Sequence, residues 1–214
     1  MDNIKNLLLE ETYNLAIKNH QENNLNDAQD LYNQVLKINP NHSGAYNNLG
    51  VIFDNLKKYQ KAKECFEKVI TIDPNYVNAH YNLGEIFQKL EEYQKAKECF
   101  EKVIEINPNH SGAYNNLGNI FQKLNEHQIA IANYEKAIEI NPDYADAYNN
   151  LGTIFQKLDE HQIAIANYEK AIGINSNHID AHNNLGTIVD NLGEYRKAKE
   201  CFEKVIEIDP NYTG

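Results

Sequence analysis

Residues 41–74, NHSGAYNNLGVIFDNLKKYQKAKECFEKVITIDP, state a pattern that recurs along nearly the whole chain. Pro40, Pro74, Pro108, Pro142 and Pro210 fall at intervals of 34 residues or its multiples, with Ser176 where a proline is missing. Leu49-Gly50, Leu83-Gly84, Leu117-Gly118, Leu151-Gly152 and Leu185-Gly186 keep the same beat. So do Ala62, Ala96, Ala130, Ala164 and Ala198, each followed four residues on by Phe66, Phe100, Tyr134, Tyr168 or Phe202. Self-similarity at this period means stacked helical repeats, each too small to bury its apolar face alone.

Within the quoted unit, Tyr46, Leu49, Ile52, Phe53 and Leu56 recur at helical spacing and predict a first helix over about 44–56. Ala62, Phe66, Val69 and Ile70 predict a second over about 60–72, with Lys57-Lys58-Tyr59 as the turn. Gly50 and Ala62 are small where the two helices must approach closely. Pro74 stops the second helix, and Asn41 and Asn75 stand where N-caps are expected.

This succession of Leu-Gly, aromatic, Ala, aromatic and Pro resembles the tetratricopeptide repeat. The resemblance implies an all-α fold, a right-handed superhelical solenoid of six helix-turn-helix repeats with one core running between neighbours. The expected organisation is an extension of the first helix at 1–8, with Leu7 and Leu8 available to pack. A divergent repeat at 9–42 follows, then repeats at 43–76, 77–110, 111–144, 145–178 and 179–212. Ala16 and Asn19 replace the glycine and phenylalanine of later repeats, as suits a more polar cap. Gly173 and Ser176 predict a softer joint between the last two repeats.

Thirty-one acidic against twenty basic side chains give a net charge of −11, which repels nucleic acid and anionic membranes. Neither is an expected partner. Cys65, Cys99 and Cys201 occupy one place in their repeats, about 10 Å apart in neighbouring ones, too far for a disulfide. Unpaired thiols, no signal-peptide pattern and no membrane-length apolar run lead to the expectation of a cytoplasmic protein. No nucleophile–base order, phosphate loop or metal-ligand cluster stands out, so neither catalysis nor a cofactor is expected. His178 and His182, four apart, read as packing substitutes for tyrosines.

The informative polar positions are asparagines. Asn14, Asn48, Asn82, Asn116, Asn150 and Asn184 precede the Leu-Gly or Leu-Ala pair in all six repeats, and Asn47, Asn115, Asn149 and Asn183 add a second row. Helix propensity gives asparagine no reason to recur there. In the family, first helices line the concave surface, so the resemblance places this ladder in the groove. A side-chain amide offers the acceptor and donors that match a peptide group. Two uses stay open: gripping a partner's main chain, or fixing the stacking of the helices. The tandem NNLG run is most similar to the repeat domain of O-linked N-acetylglucosamine transferases, whose asparagines hold substrate polypeptide. That likeness marks Asn82, Asn116, Asn150 and Asn184 as ligand contacts. Lys89, Lys123 and Lys157, in three copies of IFQKL, form a possible basic stripe.

The reading that follows is a protein-interaction module holding an extended peptide or helix of a partner. Its alternatives are the substrate-docking part of a larger enzyme and a self-assembling scaffold. In the scaffold, Val205, Ile206 and Ile208 of the last repeat would dock on the first repeat of a second copy.

Overall fold

A computed structural model describes residues 2–212, and the side chains from residue 5 onward. Met1, Thr213 and Gly214 lie outside the described residues, as does that part of the expected N-terminal extension. The described chain is twelve α-helices in six consecutive pairs. These are α1 (Asp2–Gln21) with α2 (Leu25–Ile38), α3 (Ser43–Asn55) with α4 (Tyr59–Ile72), and α5 (Val77–Lys89) with α6 (Tyr93–Ile106). The remainder are α7 (Ser111–Lys123) with α8 (His127–Ile140), α9 (Ala145–Lys157) with α10 (His161–Ile174), and α11 (Ile179–Asn191) with α12 (Tyr195–Ile208). The chain is all-α, in keeping with the expected solenoid of helical pairs, and it divides after Pro108 into two compact units of three pairs each. Within each unit the second helix of a pair packs against the first helix of the next, as α2 on α3, α4 on α5, α8 on α9 and α10 on α11.

Each pair is closed by the same devices. Lys57 adopts φ 55° after α3; its N–H reaches Asp54 O and that of Lys58 reaches Phe53 O, both at 2.8 Å. This is a Schellman closure, and Glu91, Asn125 and Asp159 repeat its left-handed residue, with Gly193 in the last pair. At the heads of α3, α7 and α11 the caps are His42, His110 and His178, not asparagines. Their Nδ1 atoms accept from the backbone N–H of Ala45, Ala113 and Ala181 at 3.1, 3.1 and 3.2 Å. Asn41 and Asn75 stand one residue too early. Their backbone N–H groups donate to Asn39 Oδ1 and Asp73 Oδ1, closing Asx turns around the prolines.

Within a pair, the glycine receives an aromatic ring. A Cβ on Gly50 would lie 2.5 Å from Phe66, and one on Gly118 2.5 Å from Tyr134. The close approach is therefore ring against backbone. Between pairs, the core is built from a second helix and the first helix that follows it. Ala28, Tyr32 and Val35 of α2 join Ala45, Leu49 and Ile52 of α3; Ala130 and Tyr134 of α8 join Leu151 and Ile154 of α9.

The first helix departs from this rule. Leu15 is 49% exposed where Leu49 is 3%, and Leu7 and Leu8 stay in solvent instead of packing. Glu11 and Lys18 occupy the places that Ala45 and Ile52 fill in complete burial.

Candidate functional site

The asparagine ladder lies along the first helices, and the two units use it differently. In the second unit, α7, α9 and α11 adjoin in that order. Asn150 on α9 donates from Nδ2 to Asn115 Oδ1 and Asn119 Oδ1 of α7, both at 3.1 Å. Asn184 on α11 repeats the move one step on, donating to Asn149 Oδ1 at 3.0 Å. Asn115 and Asn149 are buried, while Asn150 and Asn184 are half-buried. Adjacent rungs are thus amide-to-amide bonds that fix one first helix against the next.

A second polar line, which the sequence reading missed, runs beside the ladder. Tyr134 and Tyr168 thread between the helices of their pairs with no exposed surface. The Tyr134 hydroxyl lies 2.7 Å from Asn119 Oδ1 and 2.9 Å from Gln122 Oε1. The Tyr168 hydroxyl donates to Gln156 Oε1 at 2.6 Å, with Thr153 Oγ1 at 3.4 Å. Burial pushes both phenols up in pKa, so they stay protonated donors. The signal was available: tyrosine replaces phenylalanine in the two repeats whose first helices read NIFQ and TIFQ. From Asn115 to Thr187 this face carries amides and hydroxyls, with Lys123 and Lys157 exposed at the ends of α7 and α9.

In the first unit, Asn48 donates to the hydroxyls of Tyr32 at 3.1 Å and Tyr13 at 3.4 Å. Burial pushes the Tyr32 hydroxyl up to about 12, so it too remains neutral. Asn47 is buried, donates to Asn48 Oδ1 at 3.4 Å and leaves its own Oδ1 without a hydrogen-bond partner. Asn82 is half-buried on α5, whereas Asn116, on α7 of the second unit, is buried. Lys89 does not stand free: its Nζ reaches Asp54 at 2.6 and 2.7 Å and lies 5.8 Å from the Tyr59 ring centroid. The expected basic stripe is neutralised there.

The histidines have bonding roles beyond packing. His178 is buried, caps α11, and places Nε2 3.1 Å from Asp146 Oδ1 on α9. This imidazole holds the Asp146 carboxyl below its ordinary pKa. His80 and His182 bond the carbonyls of Pro74 and Ser176 at 2.9 and 3.0 Å. Among the described residues, no group of three His, Cys, Asp or Glu side chains is placed to hold a metal ion. Nor is any described helix long and apolar enough to cross a membrane. Burial pushes Cys65 up to about 11 and Cys99 up to about 12, which keeps both thiols protonated near neutral pH.

Five successive matches to the tetratricopeptide repeat family model cover residues 43–76, 77–110, 111–144, 145–178 and 179–212. The chain belongs to the tetratricopeptide repeat family. Among solved structures it is similar to MamA, with 30% identity over 75% of this chain and 94% of that one, at a TM-score of 0.64. It shares its fold with pilF of Pseudomonas aeruginosa, at 16% identity, 97% and 95% coverage and a TM-score of 0.83. It also shares it with YrrB, described as a TPR protein with an unusual peptide-binding site, at 22% identity, 85% and 93% coverage and a TM-score of 0.61. No curated protein matches the chain.

Proposed function

We propose that the chain is a protein-interaction module whose first-helix face holds an extended segment of a partner polypeptide. The observation that carries this reading is the uncharged polar row on α7, α9 and α11. There Asn150 and Asn184 use their Nδ2 donors internally and keep Oδ1 as acceptors. Gln156 accepts from the buried Tyr168 hydroxyl and keeps Nε2 as a donor. Acceptors and donors fixed in this way complement the N–H and C=O of a main chain. Neighbouring repeats about 10 Å apart span roughly three residues of extended peptide. Asn115 and Asn149 serve this face from beneath by holding the rungs in place. Peptide binding by YrrB, on the same fold, supports the reading. A substrate-docking role within a larger enzyme would use the same face and rests on the NNLG run alone.

Random twelve-residue peptides displayed on phage, selected on the full chain, test the proposal. Selected peptides should bind Gln156→Glu at least about tenfold more weakly, with its melting temperature held. Binding should depend only weakly on salt, because the amide and hydroxyl row itself carries no formal charge and Lys123 and Lys157 stand at its edge, at the ends of α7 and α9. Peptides that bind this variant as tightly as the wild type, or no selection at all, would remove the reading.

A further inference from the structure

The second helices of the fourth and fifth repeats depart from all the others. Residues 127–134 and 161–168 both read HQIAIANY and contain no Asp, Glu, Lys or Arg. The matching stretches 59–66 and 93–100 carry two lysines and a glutamate each. Ile129 and Ile163 stand where Lys61, Lys95 and Lys197 stand elsewhere, and Ala132 and Ala166 replace Glu64, Glu98 and Glu200. Ile129 and Ile163 are 44% and 42% exposed, and both alanines are exposed. Asn133 and Asn167 fold back onto the carbonyls of Ile129 and Ile163 at 2.8 Å, so they leave little polar demand in the patch. Beside Ile163 is an open depression of about 420 Å³, lined also by Asp159, Glu160, His161 and Leu192. A duplicated helix stretch without charges, rimmed by Asp159 and Glu160, on a chain of net charge −11 marks an interaction surface.

Its repetition and its rim select the occupant. Ile129 and Ile163 hold the same place in successive repeats, so an occupant meeting both presents two apolar groups along one face, and Asp159 and Glu160 at the rim call for a cation beside them. The chain carries such a face. Leu8 and Leu15 of α1 lie on one line seven residues apart, 52% and 49% exposed. We propose that α1 of a second copy lies across α8 and α10, with Leu15 in the depression beside Ile163 and Leu8 over Ile129. Lys18, one turn beyond Leu15, then falls beside Asp159 and Glu160.

This differs from docking α12 on α1, which in the manner of the internal joints would bury Glu11 and Lys18 where Ala45 and Ile52 are completely buried. Two unlike surfaces make the association heterologous, and its small footprint places it at the weak end.

Sedimentation equilibrium of the full chain, from about 10 µM to about 1 mM to suit a weak interface, reads the outcome. The wild type should gain mass with concentration. Ile129→Lys/Ile163→Lys, which introduces the residue of the second, third and sixth repeats, and Leu8→Gln/Leu15→Gln should each stay monomeric with helical circular dichroism intact. Mixing the two variants should restore a one-to-one dimer, because each keeps the surface the other lacks. If Leu15→Gln disturbs the fold, Leu8→Gln alone serves. A monomeric wild type overturns the proposal. So does a mixture that stays monomeric, or an α1 variant that associates as the wild type does. Because no peptide takes part, the result is independent of the first-helix face.

Discussion

Gly118 and Gly173 sit in helices of the same unit, yet alanine should affect them in opposite ways. At Gly118 a Cβ meets the Tyr134 ring at 2.5 Å, so Gly118→Ala should destabilise by about 1–3 kcal/mol through overpacking. At Gly173, within α10, nothing lies within 4 Å of a Cβ, so Gly173→Ala should stabilise by about 0.5–1 kcal/mol. Urea titration of both variants checks the pair of signs. Asn150→Ala should cost about 1–3 kcal/mol, because it strips the donor from Asn115 Oδ1 inside the fold. Its loss of stability separates it from Gln156→Glu, and it shows why a rung need not touch a ligand to be required.

The elements are bounded by local chemistry that titrates. His42 and His110 cap α3 and α7 as neutral imidazoles, and burial holds both below their ordinary pKa. A folded pKa below the unfolded one means the unfolded chain takes up protons first as pH falls. The caps therefore contribute fully above about pH 6.5, and stability declines as pH drops from there through the folded values. Melting temperatures at pH 7.5 and 5.5 should show this fall. Substituting both histidines with aspartate, which caps without titrating in that window, should flatten it. The turns make a converse forecast. Glu91 holds φ 59° at the end of α5, so Glu91→Gly should raise stability, and Gly193→Ala at φ 82° should lower it by about 1–2 kcal/mol. Thermal unfolding of the two variants reads both.

Across the whole molecule, repetition explains how much of the fold the residues announced. Helix pairs, turns, small positions and the polar first repeat all follow from side-chain type at a fixed period. The ladder was legible as a row of asparagines, but its hydrogen-bond partners were not. Whether Asn150 faces a ligand or Asn115 depends on the offset between α7 and α9, and no single repeat encodes that offset. The caps were misplaced by one residue for a related reason: Asn41 and His42 are both able to cap, and the Asx turn around Pro40 decides between them. Lys89 read as part of a stripe because its partner Asp54 is 35 positions away.

By itself the sequence determined that this chain is a stack of six helix pairs with a polar first helix and an uncharged stretch in two second helices. Those properties depend on local periodicity and composition, which are written residue by residue. Only the tertiary structure decided which amides bond to one another, that buried phenols orient Gln156 and approach Gln122, and that Ile129 and Ile163 emerge into solvent. Those facts depend on distances between helices one repeat apart. Packing sets such distances collectively, through rings such as Phe66 and Tyr134 seated on glycine, so they exist only once neighbouring repeats have closed on each other.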